Sequence, residues 1–133
     1  STLIPAGASL PGLVRFARGG GAVAVLADQG PRPDEEQYWS RFLGRDTAFY
    51  PGLEKLTRLL HAPLVFVHMK RIGKGRYHLR LEPLEEAAED YTDNTVMERY
   101  IRCVEEQVKA APEDWLWVYK RWKYRNTSPE PLA

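Results

Sequence analysis

Between Gly19-Gly20-Gly21 and Gly30-Pro31 lies Ala22-Val23-Ala24-Val25-Leu26-Ala27, a run of six apolar residues that stops at Asp28-Gln29. A run this short, with no polar residue on either alternating face, suits a central strand covered on both sides, since a helix needs greater length. The expected strand spans residues 22–27, and its two apolar faces demand helices above and below a sheet. In open α/β sheets, ligands sit in the crevice beyond the carboxyl ends of the strands, which is where Asp28 and Gln29 stand. Asp28 can equally open the turn through its own side chain, and the residues leave both roles open.

The flanking patterns fit an α/β fold with a mixed sheet and helices on both faces. Leu10, Leu13, Val14 and Ala17 share one helical face over residues 9–18, with Ser9 as a candidate N-cap and the glycines as the stop. Residues 30–37, with Pro31 and Pro33, read as an exposed loop, and Tyr38, Trp39, Phe42 and Leu43 continue it as apolar surface beside Arg41 and Arg45. Pro51-Gly52 opens a second helix with Leu53, Leu56, Leu59 and Leu60 inward and Glu54, Lys55 and Arg58 toward water. Residues 64–71 and 77–83 form an antiparallel hairpin around Gly73-Lys74-Gly75, with His78 and Glu82 as a surface pair on one face. Glu85 to Asp90 is an acidic stretch read as a solvated loop. Thr95-Val96-Met97-Glu98 matches a capping box for a helix whose face runs Met97, Tyr100, Ile101, Val104, Val108, Ala111. Cys103 beside that stripe reads as core, since no spacing supplies it with a base. Pro112-Glu113-Asp114 starts a last helix carrying Trp115 and Trp117, one of them core, and residues 126–133 form a frayed tail.

The 133 residues fit one domain, and 19 Lys and Arg against 18 Asp and Glu give no overall field for nucleic acid. The single cysteine excludes an internal disulfide, and no stretch reaches the roughly 20 apolar residues of a membrane span. The chain is expected to be soluble or peripherally attached, and its start without Met suggests a piece of a longer protein. Its most chemically loaded stretch is Lys120-Arg121-Trp122-Lys123-Tyr124-Arg125 after the Trp pair. Three uses are open: an anionic lipid surface, single-stranded nucleic acid stacked on aromatics, or a packed helix with solvated lysines. No catalytic set assembles by spacing: five residues beyond His61, His68 and His78 stand Phe66, Gly73 and Pro83.

In order, Ala27-Asp28-Gln29, Phe42-Leu43-Gly44, Thr47-Ala48-Phe49, Pro51-Gly52-Leu53-Glu54-Lys55-Leu56, Ala62-Pro63-Leu64-Val65 and Pro112-Glu113-Asp114-Trp115-Leu116-Trp117 with Lys120-Arg121-Trp122-Lys123 resemble one family. They look like the C-terminal half of the bacterial lipid A biosynthesis acyltransferases, the late lauroyl and myristoyl transferases related to glycerol-phosphate acyltransferases. The resemblance covers nearly the whole chain. It implies transfer of a fatty acyl group from an acyl carrier protein or coenzyme A thioester to a hydroxyl of a lipid A precursor or other glycolipid. The setting it implies is the cytoplasmic face of the inner membrane, with no further cofactor and no nucleic acid. The family's base is the histidine of a His-x4-Asp/Glu motif, which this sequence does not contain, so these residues alone are expected to be inert and prone to self-association. By the same resemblance, Asp28, Gln29, Arg45, Lys120, Arg121 and Lys123 are the substrate-binding candidates, with no catalytic residue and no metal ligand among them.

Overall fold

The computed structural model describes residues 10–85 and 95–126. Helix α1 (Leu10–Arg18) forms where its apolar spacing predicts. It ends in three backbone hydrogen bonds, from the amides of Gly19, Gly20 and Gly21 to carbonyls of the last turn. Gly20 carries a φ of +86°, a left-handed stop that a side chain would strain.

The expected central strand does not form. Residues 22–27 carry neither helix nor strand, and Leu26 is 86% exposed. The sheet is accordingly two separate two-stranded antiparallel hairpins, not one mixed sheet with helices on both faces. An apolar run becomes a strand only when a neighbour offers it a hydrogen-bond ladder, and here the four strands satisfy one another in pairs. Ala27 still packs against the core.

The first hairpin, β1 (Tyr38–Phe42) and β2 (Arg45–Phe49), lies where sequence reasoning expected loop. Ser40 and Phe42 alternate inward on β1, as do Thr47 and Phe49 on β2. Leu43 and Gly44 make the two-residue turn with φ of 50° and 75°, the pair of positive values that matches strand twist. Leu43 bears the steric cost of that conformation with its amide held by Glu105 Oε1 at 2.9 Å.

Helix α2 (Gly52–Leu60) buries Leu53, Glu54 and Thr57. Glu54 therefore faces inward and not water, its charge met by Arg58 one turn on. The second hairpin, β3 (Leu64–Gly73) and β4 (Arg76–Glu85), forms as expected. His78 pairs across the strands with Lys70, and Glu82 bonds His68 and Arg80, so the expected His78–Glu82 pair is absent. Helix α3 (Thr95–Ala110) joins the parts, contacting α2, β1, β3 and β4 and burying Val96, Met97, Ile101, Cys103, Val104 and Val108. Phe42, Phe49, Leu53, Phe66 and Leu84 complete one core around it. Glu98 takes the Tyr38 hydroxyl at 2.6 Å, a tie from α3 to β1.

The last helix is also replaced. Pro112–Asp114 makes a single 3-10 turn, and residues 115–126 run on as turns. Aromatic residues are weak helix formers, and Trp115, Arg121 and Trp122 instead fold back onto the first hairpin. Of the two tryptophans expected to divide between core and surface, Trp115 packs against the core and Trp117 is 54% exposed. The acidic stretch beyond Glu85 and the tail beyond Asn126 lie outside the described residues.

Candidate binding site

The C-terminal segment lies against β1 and β2, where Trp115, Arg121 and Trp122 meet the hairpin while residues 116–120 are exposed. Trp122 lies 6.4 Å from Phe42 between ring centroids, and its indole N–H donates to Thr47 Oγ1 at 2.8 Å. Arg45 lies over the same ring, with the guanidinium carbon 4.8 Å from the ring centroid. Arg121, expected as an exposed charge, is only 7% exposed, and its guanidinium sits 4.4 Å above the Phe49 ring. Among the described residues, its Nε and Nη2 atoms are the buried side-chain nitrogens without a hydrogen-bond partner.

A buried guanidinium with two unsatisfied N–H groups is costly, and such groups in proteins are almost always paired. Burial pulls the Arg121 pKa below its usual value, opposed by Tyr119, Asp28 and Tyr100. Asp28 thus lies near enough to be felt but does not occupy the open N–H groups. Tyr100 is raised, first by burial and then by Asp28, while a backbone hydrogen bond with Ala27 opposes the rise.

Two cavities lie on either side of Gly30, with no lining residue in common. A basic pocket of about 310 Å³ is lined by Arg45, Lys120, Arg121 and Lys123 with Trp117 and Trp122, and among the described residues no carboxylate lines it. A larger apolar groove of about 560 Å³ lies between residues 25–31 and α2, where Val25, Leu26, Leu53, Leu56 and Leu59 form its walls. Gly30 joins them: it lines the groove, its amide donates to Tyr119 Oη at 3.0 Å, and a Cβ there would come within 2.8 Å of Arg121 Nη1. Only glycine lets the backbone approach the guanidinium this closely.

Every expected binding residue falls in or beside these cavities. Arg45, Lys120, Arg121 and Lys123 share the basic pocket, Gln29 lines the groove, and Asp28 adjoins the junction through its charge on Arg121 and Tyr100. Gly30, Tyr100 and Tyr119 were not expected, because contacts over such separations leave no periodic signal in the chain. His61, His68 and His78 line neither cavity. Burial and the nearby Glu82 carboxylate raise the Cys103 thiol, consistent with core and not with a nucleophile. No helix among the described residues is long and apolar enough to cross a membrane.

No curated protein and no solved structure matches this chain. The family model for bacterial lipid A biosynthesis acyltransferase matches residues 1–124, and the chain, with a mixed helix and strand fold carrying a basic pocket beside an apolar groove, belongs to that family.

Proposed function

We propose that these residues hold the substrates of an acyl transfer from an acyl carrier protein or coenzyme A thioester to a hydroxyl of a lipid A precursor or other glycolipid. The observation that carries this reading is Arg121, a buried cation lacking two partners in a basic pocket, with Gly30 of the neighbouring apolar groove close against its guanidinium. That pairing suits an anionic amphiphile. A fatty acyl chain lies along Val25, Leu26, Leu53, Leu56 and Leu59, and a phosphate or carboxylate takes the open N–H groups of Arg121. Lys120 and Lys123 at the pocket rim add the field that draws an acidic carrier protein or a phosphorylated headgroup.

Leu116, Trp117 and Val118 stand exposed in sequence beside Lys120, an arrangement of apolar and aromatic tips flanked by cations that suits the headgroup level of an anionic membrane. A peripheral position at the cytoplasmic face of the inner membrane follows from that reading. Single-stranded nucleic acid is disfavoured, since Trp115 and Trp122 pack on Phe42 and of the three tryptophans in this segment Trp117 alone is exposed. The 133 residues contribute binding groups and not the histidine base, so on its own this polypeptide binds without turnover.

The test is tryptophan fluorescence of the purified chain titrated with palmitoyl-coenzyme A, coenzyme A alone and palmitate alone, beside a single-stranded oligonucleotide. The acyl thioester is expected to bind at least about tenfold more tightly than either half, with Arg121→Gln removing most of that advantage. Preferential, steeply salt-dependent binding of the oligonucleotide overturns the reading.

A further inference from the structure

On the inner face of the second hairpin, away from both cavities, three side chains of different donor chemistry converge from three elements. His68 on β3, Glu82 on β4 and Cys103 on α3 place their ligand atoms all within 4.8 Å of one another. His68 Nε2 is 2.8 Å from Glu82 Oε2, and Cys103 Sγ is 3.8 Å from Glu82 Oε1. We propose that His68, Glu82 and Cys103 form a site for one divalent zinc ion that pins the second hairpin to α3.

The donor set is what Zn²⁺ prefers: one imidazole, one thiolate and one carboxylate, with a fourth position left for water. A thiolate and a carboxylate neutralise the dication, so the bound site carries no net charge of its own. Tetrahedral bonds of ordinary zinc length require ligand separations of about 3.4 Å for N to O and about 3.6 Å for S to O. His68 Nε2 now meets Oε2 at 2.8 Å and Cys103 Sγ meets Oε1 at 3.8 Å, so side-chain rotation has to bring one carboxylate oxygen, the imidazole nitrogen and the sulfur to those spacings around the ion. Cys103 is buried and His68 nearly so, whereas the Glu82 side chain is about a third exposed and provides the entry side.

Neighbouring groups already orient the ligands as metal sites require. Arg80 Nη1 holds Glu82 Oε2 at 2.8 Å, which leaves Oε1 directed at the cysteine for the metal. The Phe66 ring meets the His68 ring edge-on at 4.7 Å between centroids and fixes its plane. When the ion binds, the Cys103 thiol releases its proton to solvent, and the proton that His68 Nε2 donates to Glu82 is released or replaced by one on Nδ1, which frees the Nε2 lone pair for the metal. A two-stranded hairpin with one exposed face is marginal alone, and a crosslink to the central helix is what stabilises it most directly.

The experiment is titration of the purified, reduced chain with Zn²⁺ in competition with a chromogenic chelator, and with Co²⁺ followed by absorption. One ion per chain is expected, with a thiolate-to-cobalt charge-transfer band, tetrahedral ligand-field bands and a rise in melting temperature on zinc addition. Cys103→Ser and His68→Gln should each weaken binding by more than about tenfold, Cys103→Ser should abolish the charge-transfer band, and Arg80→Gln should weaken binding by about 10- to 100-fold through the carboxylate it positions. His78→Gln, outside the cluster, should bind as the parent does and guards against a general folding effect. Absence of stoichiometric binding to the folded parent chain, or binding that survives both Cys103→Ser and His68→Gln, overturns the proposal.

Discussion

The backbone amide of Gly30 donates to the Tyr119 hydroxyl at 3.0 Å across 89 positions of chain, and this one bond seats the C-terminal basic segment against the end of the Ala22–Ala27 run. It places Arg121, in the basic pocket, close against Gly30 of the apolar groove. The two stretches that carry the chemistry thus depend on each other's position.

Arg121 is poised for an anion at the expense of stability. Removing a buried, partly unsatisfied cation returns about 1–3 kcal/mol, less the roughly 1 kcal/mol of its contact with the Phe49 ring. Arg121→Met is therefore expected to leave the melting temperature unchanged or slightly raised while lowering affinity for an acyl thioester at least about tenfold. Gly30→Ala, which pushes a methyl against the guanidinium, should lower the same affinity by less and with no change of charge. A thermal melt and the fluorescence titration on each variant check both.

Acid should loosen the joint between the first hairpin and α3. Burial would raise Glu105, but hydrogen bonds from Lys109 and the Leu43 amide, with the charge of Arg102, outweigh it and hold its carboxyl below the ordinary range. Its folded pKa is thus lower than its unfolded value of about 4.3, so its contribution is fully present above that value and is lost as pH falls through the folded pKa. Glu105→Gln should cost about 1–3 kcal/mol near neutrality, because the amide keeps one oxygen for Leu43 but loses the charge and the second oxygen that meet Arg102 and Lys109, and should flatten the acid limb of the stability curve. Melting temperatures of both proteins between neutral and strongly acid pH read this directly.

The outer face of the second hairpin should drive self-association. Val67 opposes Leu81 and Met69 opposes Leu79, and all four are exposed, Leu81 at 67%. Such a contiguous apolar face seeks cover. Light scattering of the isolated chain is expected to show mass rising with concentration, and Val67→Glu with Leu81→Lys should shift it to monomer at nearly unchanged melting temperature. A monomeric parent at high concentration would falsify the expectation.

What was legible in the chain was local. Helices α1, α2 and α3 and the second hairpin follow from apolar periods, glycine and proline stops and β-branched runs, signals that act over a few residues. The six binding candidates came from the family resemblance, and the fold brings Arg45, Lys120, Arg121 and Lys123 to one pocket and Gln29 to the groove, a grouping that no spacing in the chain announces. The first hairpin was missed although Ser40, Phe42, Thr47 and Phe49 alternate, because the aromatic and charged residues between them mask the period. Two expectations failed for a tertiary reason. The apolar run of residues 22–27 and the Trp-rich segment after Pro112 both look regular alone, yet one finds no strand to pair with and the other gains more by packing Trp115, Arg121 and Trp122 on the hairpin than by continuing a helix. Hydrogen-bond partners and burial are properties of the folded whole, so tertiary packing alone decided that Arg121 is buried and Trp117 exposed.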